Sequence, residues 1–275
     1  MEQLRKVDGT LQTSRKKNPV YYFLIGGHDL EMLTIIDLLK KHLPKNKVFD
    51  RGLKWGACLS SYQDLFNSQD VFIGIELKQD IAPPKNYIEI DHHYENSGEP
   101  SSIDQIICFL KKAYNIEVEV TRYIQLISAN DSGYIPAMLA IGATEEEIAD
   151  IRRRDREAQG ATEEDEWLAE KSIKENLTIE GGITIVKSLT SRFSIITDRL
   201  YPYNRLMVYN DNELNYYGKG INQLIRIFEQ LISNGDAYHG GGKNGFFGIA
   251  NGALSSNQIM EIVKQIINIQ FNKQE

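Results

Sequence analysis

Acidic side chains and histidines follow three short apolar segments of this sequence. They are Asp29 and Glu31 after the first segment, Glu76 after the second, and Asp91, His92 and His93 after the third. Neutral imidazole suits Mn, Fe, Co or Zn, and carboxylates suit Mg and Mn. Mixed sites of this kind commonly hold pairs of divalent ions for phosphoryl chemistry. The residue types therefore predict metal-assisted chemistry, with Asp91 expected to accept an N–H from an imidazole and fix its tautomer.

The segments before these residues have the pattern of buried parallel strands. Each is a continuous apolar run, over residues 20–25, 71–75 and 87–90. Helices are predicted from about 30 to before Pro44, over 103–113, and from about 121 to 130–133. Strands alternating with helices predict a parallel α/β sheet, in which ligands bind at the carboxyl ends of the strands. We therefore expect the polar side chains to meet at one edge. The alternative, a pair of surface histidines in a turn, does not explain the acids at that edge.

The proportion of charged residues rises after the third predicted helix. Residues 145–180 hold 13 acidic and 6 basic residues, a net −7 that equals the charge of the whole chain. This charge run is typical of exposed helices that link two domains. Strands are then predicted at 183–186, 193–197, 206–209 and 214–217, with a hairpin turn at 210–212. Apolar residues at helical spacing predict helices over 221–232 and 259–267. The expected domains are 19–143, a helical connector at 144–180, and a smaller α/β domain at 181–275.

A glycine-rich loop lies between the last two predicted helices. Its glycines, Gly240-x-Gly242-x-x-Gly245, match a dinucleotide fingerprint, but the loop follows a helix and leads into a strand, the reverse of the required order. It is not a phosphate-binding P-loop either, because Asn follows Lys243. Exposed backbone N–H groups in such a loop favour binding of an anion. The alternative is a structural turn. Arg192 is a further candidate for contact with a phosphate.

The segment Ile-Glu-Ile-Asp-His-His at 88–93 resembles the signature of the DHH phosphoesterase superfamily. Three other motifs agree in order: Asp29-x-Glu31, Glu76, and Asn-Asp-Ser-Gly-Tyr at 130–134. The glycine loop is similar to that of the DHH-associated domain. The resemblance covers roughly 20–143 and 181–275. It implies an N-terminal parallel-sheet DHH-like domain joined by the charged helical connector to a smaller α/β domain that binds substrate.

The resemblance also implies an activity and roles for individual residues. The family hydrolyses phosphodiester or phosphoanhydride bonds with manganese, and Mg²⁺ or Co²⁺ are alternative ions. The implied metal ligands are Asp29, Glu31, Glu76, His92 and Asp131, with His28 as a substitute ligand. His93 would lie near the scissile phosphate, so His92, His93 and Asp91 form the expected catalytic group. The implied substrate-binding residues are those of the glycine loop, His239, Gly240, Gly241, Gly242 and Lys243, together with Arg192. Metal-activated water would attack the phosphorus in line.

The sequence departs from the family pattern at three positions. Ile25 stands where the family has a histidine, and Glu31 and Glu76 stand where it usually has aspartate. Asp80 is a weaker alternative to Glu76. Three site types therefore stay open: a modified two-metal site, a single-metal site and an inactive one. The expected function is hydrolysis of short oligonucleotides or cyclic dinucleotides, with a polyphosphate or pyrophosphate hydrolase, a weakly active nucleotide sensor and an interaction protein as alternatives.

Composition limits the partners of the chain. Its 31 basic and 38 acidic residues give a pI near 5.4, which argues against coating of duplex DNA by bulk charge. Small phosphorylated molecules and short single strands remain compatible substrates, because residues 181–275 hold 9 basic and 7 acidic residues. Two cysteines and no apolar segment of membrane-spanning length favour a reducing, cytoplasmic setting without a membrane partner. A homodimer is left open.

Overall fold

The first sheet of the computed structural model is entirely parallel. The structure describes residues 19–271, except 55, 68, 94, 95, 97 and 241–244. The strands are β1 (Tyr21–Ile25), β2 (Val48–Phe49), β3 (Val71–Ile75) and β4 (Tyr87–Ile90), in the order β2-β1-β3-β4. The three strands predicted from apolar runs are confirmed. Strand β2 was not predicted, because two residues are too few to show a periodic pattern.

Three helices cover this sheet and begin at side-chain caps. They are α1 (Leu30–His42), α2 (Ser102–Tyr114) and α3 (Arg122–Ala140). Asp29, Ser101 and Thr121 each accept a hydrogen bond from the backbone N–H three residues later, which satisfies a donor that the helix itself leaves unpaired. Apolar residues of α1 and α2 pack on the sheet, and Phe23, Ile35 and Ile106 are fully buried there. The caps place the first turns of α1 and α2 at the carboxyl edge of the sheet.

Helix α3 does not end where the sequence predicted. Gly133 and Tyr134 leave helical geometry, Tyr134 with φ +58°, and the chain then resumes a helix that runs to Ala140. The expected end at 130–133 is therefore a sharp kink. Pro136 stands in the first turn after this break, where a missing N–H costs nothing. The kink places Asp131 at the end of the first half of the helix.

The charged segment forms two helices that are only partly exposed. Helices α4 (Glu145–Ala158) and α5 (Glu163–Asn176) each begin with a capping box, on Thr144 and Thr162. The expected solvated face exists on one side of α4. On its other side the helix packs against α1 and α3 and buries Ile151, Arg152 and Asp155. The prediction of exposed connecting helices is thus correct for their helical state and wrong for their full exposure.

The second sheet has six strands and is mixed. They are β5 (Leu177–Glu180), β6 (Ile183–Lys187), β7 (Arg205–Tyr209), β8 (Leu214–Gly218), β9 (Ala237–Gly240) and β10 (Phe246–Ile249), in the order β5-β6-β7-β8-β10-β9. Only β6 and β7 pair in parallel; the other neighbours are antiparallel. Together the two sheets and their helices give a mixed α/β chain with a parallel sheet and a second, smaller α/β unit, as predicted.

Four helices accompany the second sheet, and one replaces a predicted strand. They are α6 (Phe193–Leu200), α7 (Ile221–Ile227), α8 (Glu229–Asn234) and α9 (Ser256–Ile267). The strand predicted at 193–197 is wrong: Phe193 and Ile196 lie one helical turn apart on a buried face. This packing overrides the strand preference of isoleucine and threonine. The single helix predicted over 221–232 is divided at Phe228. None of the described helices is long and apolar enough to cross a membrane.

The ends of the predicted glycine loop belong to a β-hairpin. His239 and Gly240 are the last residues of β9, and they pair with Phe247 and Phe246 of β10. The loop was expected to follow a helix directly, and β9 was missed because its four residues are short and partly polar. Gly241, Gly242 and Lys243 lie outside the described residues. The structure therefore places the two flanks of this loop on neighbouring antiparallel strands.

Candidate metal centre

Carboxylates and an imidazole from four elements converge at the carboxyl edge of the first sheet. Glu76 follows β3, His92 follows β4, Asp131 precedes the kink of α3, and Glu31 lies in the first turn of α1. His92 Nε2 lies 2.5 Å from Asp131 Oδ2, 3.6 Å from Glu76 Oε1 and 3.8 Å from Glu31 Oε2. The convergence expected from the positions of the strand ends is present.

The atoms that face one another in this cluster are buried, and apart from the close approach of His92 Nε2 to Asp131 Oδ2 they lack hydrogen-bond partners. They are Glu31 Oε2, Glu76 Oε1, His92 Nε2 and Asp131 Oδ2. A buried polar atom without a partner costs about 1–3 kcal/mol, and more when it is charged. Three carboxylate oxygens around His92 Nε2 are unfavourable unless a positive charge, either a proton on His92 or a bound cation, lies among them. The donor set therefore fits a divalent metal ion.

The geometry of the donors matches the surroundings of one ion. One ligand atom from each of Glu76, His92, His93 and Asp131 can be chosen so that all four lie within 4.8 Å of one another. Nitrogen and oxygen atoms that all lie about 2.0–2.2 Å from one ion are at most twice that distance from one another, which is comparable to the separation of these four atoms. Imidazole together with carboxylate suits Mn²⁺, Fe²⁺, Co²⁺ or Zn²⁺. The cluster can thus hold one divalent cation.

Strained backbone and a close strand contact position Glu76. Its φ is +50°, in the left-handed region that residues with a side chain rarely adopt. Beside it, the end of β1 approaches so closely that a Cβ on Gly26 would lie 2.7 Å from the carbonyl oxygen of Glu76. Glycine at position 26 therefore allows the contact. Asp80, the alternative to Glu76, instead accepts a hydrogen bond from the Ser60 N–H at 2.9 Å.

Asp29 and Glu31 each use one carboxylate oxygen to hold a helix N-terminus. Asp29 Oδ1 accepts from the Met32 N–H at 2.8 Å, and Glu31 Oε1 accepts from the Ile103 N–H at 3.0 Å. Burial raises the pKa of both carboxyls well above the usual range, and the charges of Asp131 and Glu76 raise it further. Glu31 lies at the edge of the cluster with one oxygen free of protein donors. Asp29 caps α1 through Oδ1, and its role as a metal ligand stays a prediction.

The charges of the cluster perturb the pKa of its histidine. Burial alone would lower the pKa of His92, but hydrogen bonding and the negative charges of Asp131 and Glu76 raise it to about 10. Burial would raise the pKa of Glu76, but His92 and His93 hold it below its usual value. Without a cation, a protonated His92 is thus the positive charge that offsets these carboxylates. A metal ion would replace that proton, because only neutral imidazole is a ligand.

Asp91 orients His93, as the sequence predicted. Its Oδ1 accepts from the backbone N–H of His93 at 2.8 Å and lies 2.9 Å from the ring Nδ1. Since a carboxylate only accepts, Nδ1 carries the proton. Hydrogen bonding to Asp91 raises the pKa of His93. The rings of His92 and His93 lie 4.3 Å apart. The two histidines are therefore neighbours in one site and not separate surface residues.

His28 occupies a different position from the one proposed for a substitute ligand. Its Nε2 lies 2.8 Å from Asp50 Oδ1, at the surface. Asp50 also accepts from the Gly52 N–H at 2.9 Å, which fixes it in a turn. Neighbouring side chains such as those of His28 and Asp29 point in different directions on a turn. The structure accordingly pairs His28 with Asp50.

The residues predicted to bind substrate lie in the second unit. Arg192 is exposed at the start of α6, where its guanidinium lies 3.4 Å from the carbonyl oxygen of Gly160. His239 is exposed on β9, and Gly240 stands next to it against the ring of Phe246. Their predicted contact with a phosphate stays a prediction, as it does for Gly241, Gly242 and Lys243.

A buried ionic group behind the candidate metal centre was not predicted. Arg152 of α4 donates to Asp155 of the same helix and to Asn130, which precedes Asp131. Asp198 of α6 accepts from Arg152, Arg156 and Tyr134. In the sequence these charges merge with a long run of exposed ones. The only local signal is the spacing of Ile148, Ile151, Arg152 and Asp155, which marks one face of a helix.

No protein family model matches the sequence, and no curated protein is significantly similar to it. Among solved structures, the chain is similar to a pGpG-specific phosphodiesterase from Vibrio cholerae, at 14% identity and a TM-score of 0.39. That alignment covers 90% of this chain and 99% of the other. The chain is also similar to the DHH domain of a member of the s1p family of ribosomal proteins, at 11% identity and a TM-score of 0.49, over 90% of this chain and 87% of that one. The resemblance of this chain to DHH-domain proteins rests on the order of its motifs.

Proposed function

We propose that this chain is a metal-dependent phosphoesterase that hydrolyses phosphodiester bonds of short oligonucleotides or of linear or cyclic dinucleotides. The observation that carries the proposal is the set of four buried atoms on Glu31, Glu76, His92 and Asp131, in which three carboxylate oxygens face His92 Nε2 and none bonds to a group outside the set. Such a set of ligand atoms can hold a cation that binds both a substrate and a water molecule. The order of the motifs supports a phosphoester as the substrate class.

Glu76, His92 and Asp131 would hold the cation, with Glu31 at the edge of the site. The cation, Mn²⁺ in this proposal with Mg²⁺ or Co²⁺ as alternatives, would acidify water and offset negative charge on the phosphoryl oxygens. The backbone strain at Glu76 is consistent with a ligand that the fold forces into place.

The remaining residues of the site would orient the substrate. Asp91 fixes the ring of His93 through the Nδ1 proton, and the raised pKa of His93 favours its positive form. A positive imidazole beside the cation would attract the phosphoryl group and would donate a hydrogen bond to one of its oxygens. We propose that the hairpin of β9 and β10 binds the rest of the nucleotide. His239 and Lys243 at this hairpin, and Arg192 elsewhere in the same unit, would contribute to that binding.

The test is hydrolysis of pGpG, short oligonucleotides, a cyclic dinucleotide and pyrophosphate with Mn²⁺ and with EDTA. The native chain is compared with His92→Ala and Asp131→Ala, and with His42→Ala as a matched histidine variant outside the cluster. Hydrolysis that needs the metal, is lost in the first two variants and persists in the third would support the proposal. Absence of metal-dependent turnover on all four substrates would overturn it. Turnover of pyrophosphate alone would instead assign a phosphoanhydride hydrolase.

A second candidate is a nucleotide-binding module that cleaves its ligand poorly. The observation that favours it is the ligand set, which forms one clear cation position. Ile25, at the position of the family's histidine, is fully buried in the core, and His28 bonds to Asp50. A second ion would then lack a histidine ligand. Counting the Mn²⁺ ions bound per chain separates the candidates: two ions would contradict the module, and one ion with tight nucleotide binding and no turnover would support it.

A further inference from the structure

One buried guanidinium lies behind the candidate metal centre and bonds in three directions. Arg152 of α4 is 7% exposed. Its Nη1 donates to Asn130 Oδ1 at 2.9 Å and to Asp155 Oδ2 at 2.7 Å, and its Nε donates to Asp198 Oδ1 at 3.0 Å. The planar fork of an arginine can satisfy several acceptors at fixed angles, whereas the ammonium of a lysine acts as a compact point charge. The three acceptors belong to three different helices.

The first of these bonds fixes the end of the helix that carries Asp131. Asn130 immediately precedes Asp131, just before the kink at Gly133 and Tyr134. The guanidinium also lies over the ring of Tyr134, 4.7 Å from its centre. Arg152 therefore touches residues on both sides of Asp131, one before it and one after it. The position of this carboxylate depends on a turn of chain that Arg152 holds at both ends.

The second bond fixes the helix that carries Glu31. Asp155 Oδ2 binds Arg152, and its other oxygen, Oδ1, accepts from the Leu30 N–H at 3.2 Å. Leu30 stands between Asp29 and Glu31 at the first turn of α1. This buried carboxylate thus satisfies a donor at the helix N-terminus, where a negative charge is also favoured by the helix dipole. Arg152, through Asp155, reaches a second segment with a candidate metal ligand.

The third bond extends to the second unit. Asp198 lies in α6, and besides Arg152 it accepts from the Tyr134 hydroxyl at 2.6 Å and from Arg156. Tyr134 and Arg152 therefore share one acceptor across the boundary between the two units. Breaking one partner of such a buried network leaves a charge uncompensated, while replacing the whole network with apolar residues is often neutral for stability. The network therefore contributes more to the relative placement of these helices than to stability.

We infer that Arg152 is a positioning residue that sets the Asp131 and Glu31 segments relative to each other and to Asp198 of the second unit. The inference rests on the proposed function insofar as the cluster must bind a cation. It assigns no contact between Arg152 and substrate or metal. What Arg152 supplies is the relative placement of two helices, and metal affinity is sensitive to displacements of this kind.

The experiment measures binding of Mn²⁺ alone to the full chain, by electron paramagnetic resonance of the free ion and by calorimetry. Arg152→Lys keeps the charge but loses the fork, and we expect a dissociation constant raised by about 10- to 100-fold. Arg153→Lys is the matched control, because Arg153 is the next residue on α4 and makes exposed bonds to Asp150 and Glu157. We expect it to bind Mn²⁺ as the native chain does, and circular dichroism reports the fold of each variant.

A second variant covers the case in which Arg152→Lys fails to fold. Asn130→Ala removes the bond next to Asp131 and leaves the ion pair of Arg152 with Asp155 in place. We expect a loss of Mn²⁺ affinity, and a double variant no weaker than Arg152→Lys alone, because the arginine substitution already removes the contact with Asn130. A purely structural role would lower the melting temperature without changing the Mn²⁺ affinity of the folded protein.

Two results would count against these conclusions in different ways. Native-like Mn²⁺ affinity in folded Arg152→Lys or Asn130→Ala would overturn the role of Arg152 and leave the proposed function standing. No Mn²⁺ binding by the native chain would overturn both.

Discussion

The contact between the ends of β1 and β3 yields a prediction for a single added methyl group. Ile25 pairs with Ile75 across these strands, so Gly26 lies beside Glu76. A Cβ on Gly26 would approach both the Ile75 and Glu76 carbonyl oxygens to less than 3 Å, the second at 2.7 Å. The backbone of Gly26 does not have a left-handed φ, so Gly26→Ala introduces a steric clash and no conformational penalty of its own.

The size of the displacement follows from the contact distance. The tighter of the two contacts, with the Ile75 carbonyl oxygen, must lengthen by roughly 1 Å to reach ordinary van der Waals contact near 3.4 Å, so the two strand ends must separate by about that much. Overpacking of this kind costs about 1–3 kcal/mol of unfolding free energy. Glu76 moves with the displaced carbonyl, and sites built for a ligand tolerate only about 0.5 Å. We therefore expect Mn²⁺ to bind at least about 10-fold more weakly to Gly26→Ala.

Urea denaturation and Mn²⁺ calorimetry measure the two effects separately. Gly98→Ala is the control, because a Cβ on Gly98 would meet no atom within 4 Å. We expect it to match the native chain in both measurements. If Gly26→Ala binds Mn²⁺ as tightly as the native chain and loses less than about 0.5 kcal/mol of stability, then the close approach at Gly26 does not position Glu76, and the argument is wrong.

Three further predictions concern protons, charge and capping. The pKa values of Asp29 and Glu31 are raised and that of His92 is about 10, so a bound cation must displace protons. We therefore expect the Mn²⁺ affinity to rise from pH 6 to pH 8, and calorimetry in two buffers should show proton release. A pH-independent affinity would contradict this. Because the folded-state pKa of Glu31 lies above its unfolded value, ionisation of this carboxyl opposes folding at pH 7. Glu31→Gln should therefore stabilise the metal-free chain in EDTA by about 1 kcal/mol at pH 7, and the two chains should be equally stable below about pH 4. A less stable Glu31→Gln chain at pH 7 in EDTA would refute it. Thr144→Ala removes the capping box of α4 and should cost about 1 kcal/mol in urea denaturation, while Thr144→Ser should cost little; equal losses in both would exclude the cap as the cause.

The sequence predicted the parallel sheet well because its signals are local. Continuous apolar runs gave β1, β3 and β4, and the position of polar residues after each run placed Glu76 and His92 at one edge. The kink in α3 was not predictable as such. Asn-Asp-Ser-Gly at 130–133 is typical of a helix end, and only packing beyond Tyr134 shows that the helix resumes.

Other features depended on contacts between distant residues. Phe193–Thr197 has the composition of a strand, yet its apolar residues pack as a helix against Ala169 and Val186. Arg152 resembles its exposed neighbours Arg153 and Arg154 in the sequence. Its burial follows from the placement of α4 between α1, α3 and α6, which no local pattern encodes.

The bonds of α4 determine where this chain could be cut. A fragment that ended at residue 143 would lose Asp155, the acceptor for the Leu30 N–H, and Arg152, the donor to Asn130. It would also uncover the apolar cluster that Ile151 completes. The smallest excised piece that keeps the metal ligands in place is therefore expected to run through residue 158. Even that piece would expose to water the guanidinium groups that Asp198 covers in the whole protein, so the chain is best handled undivided.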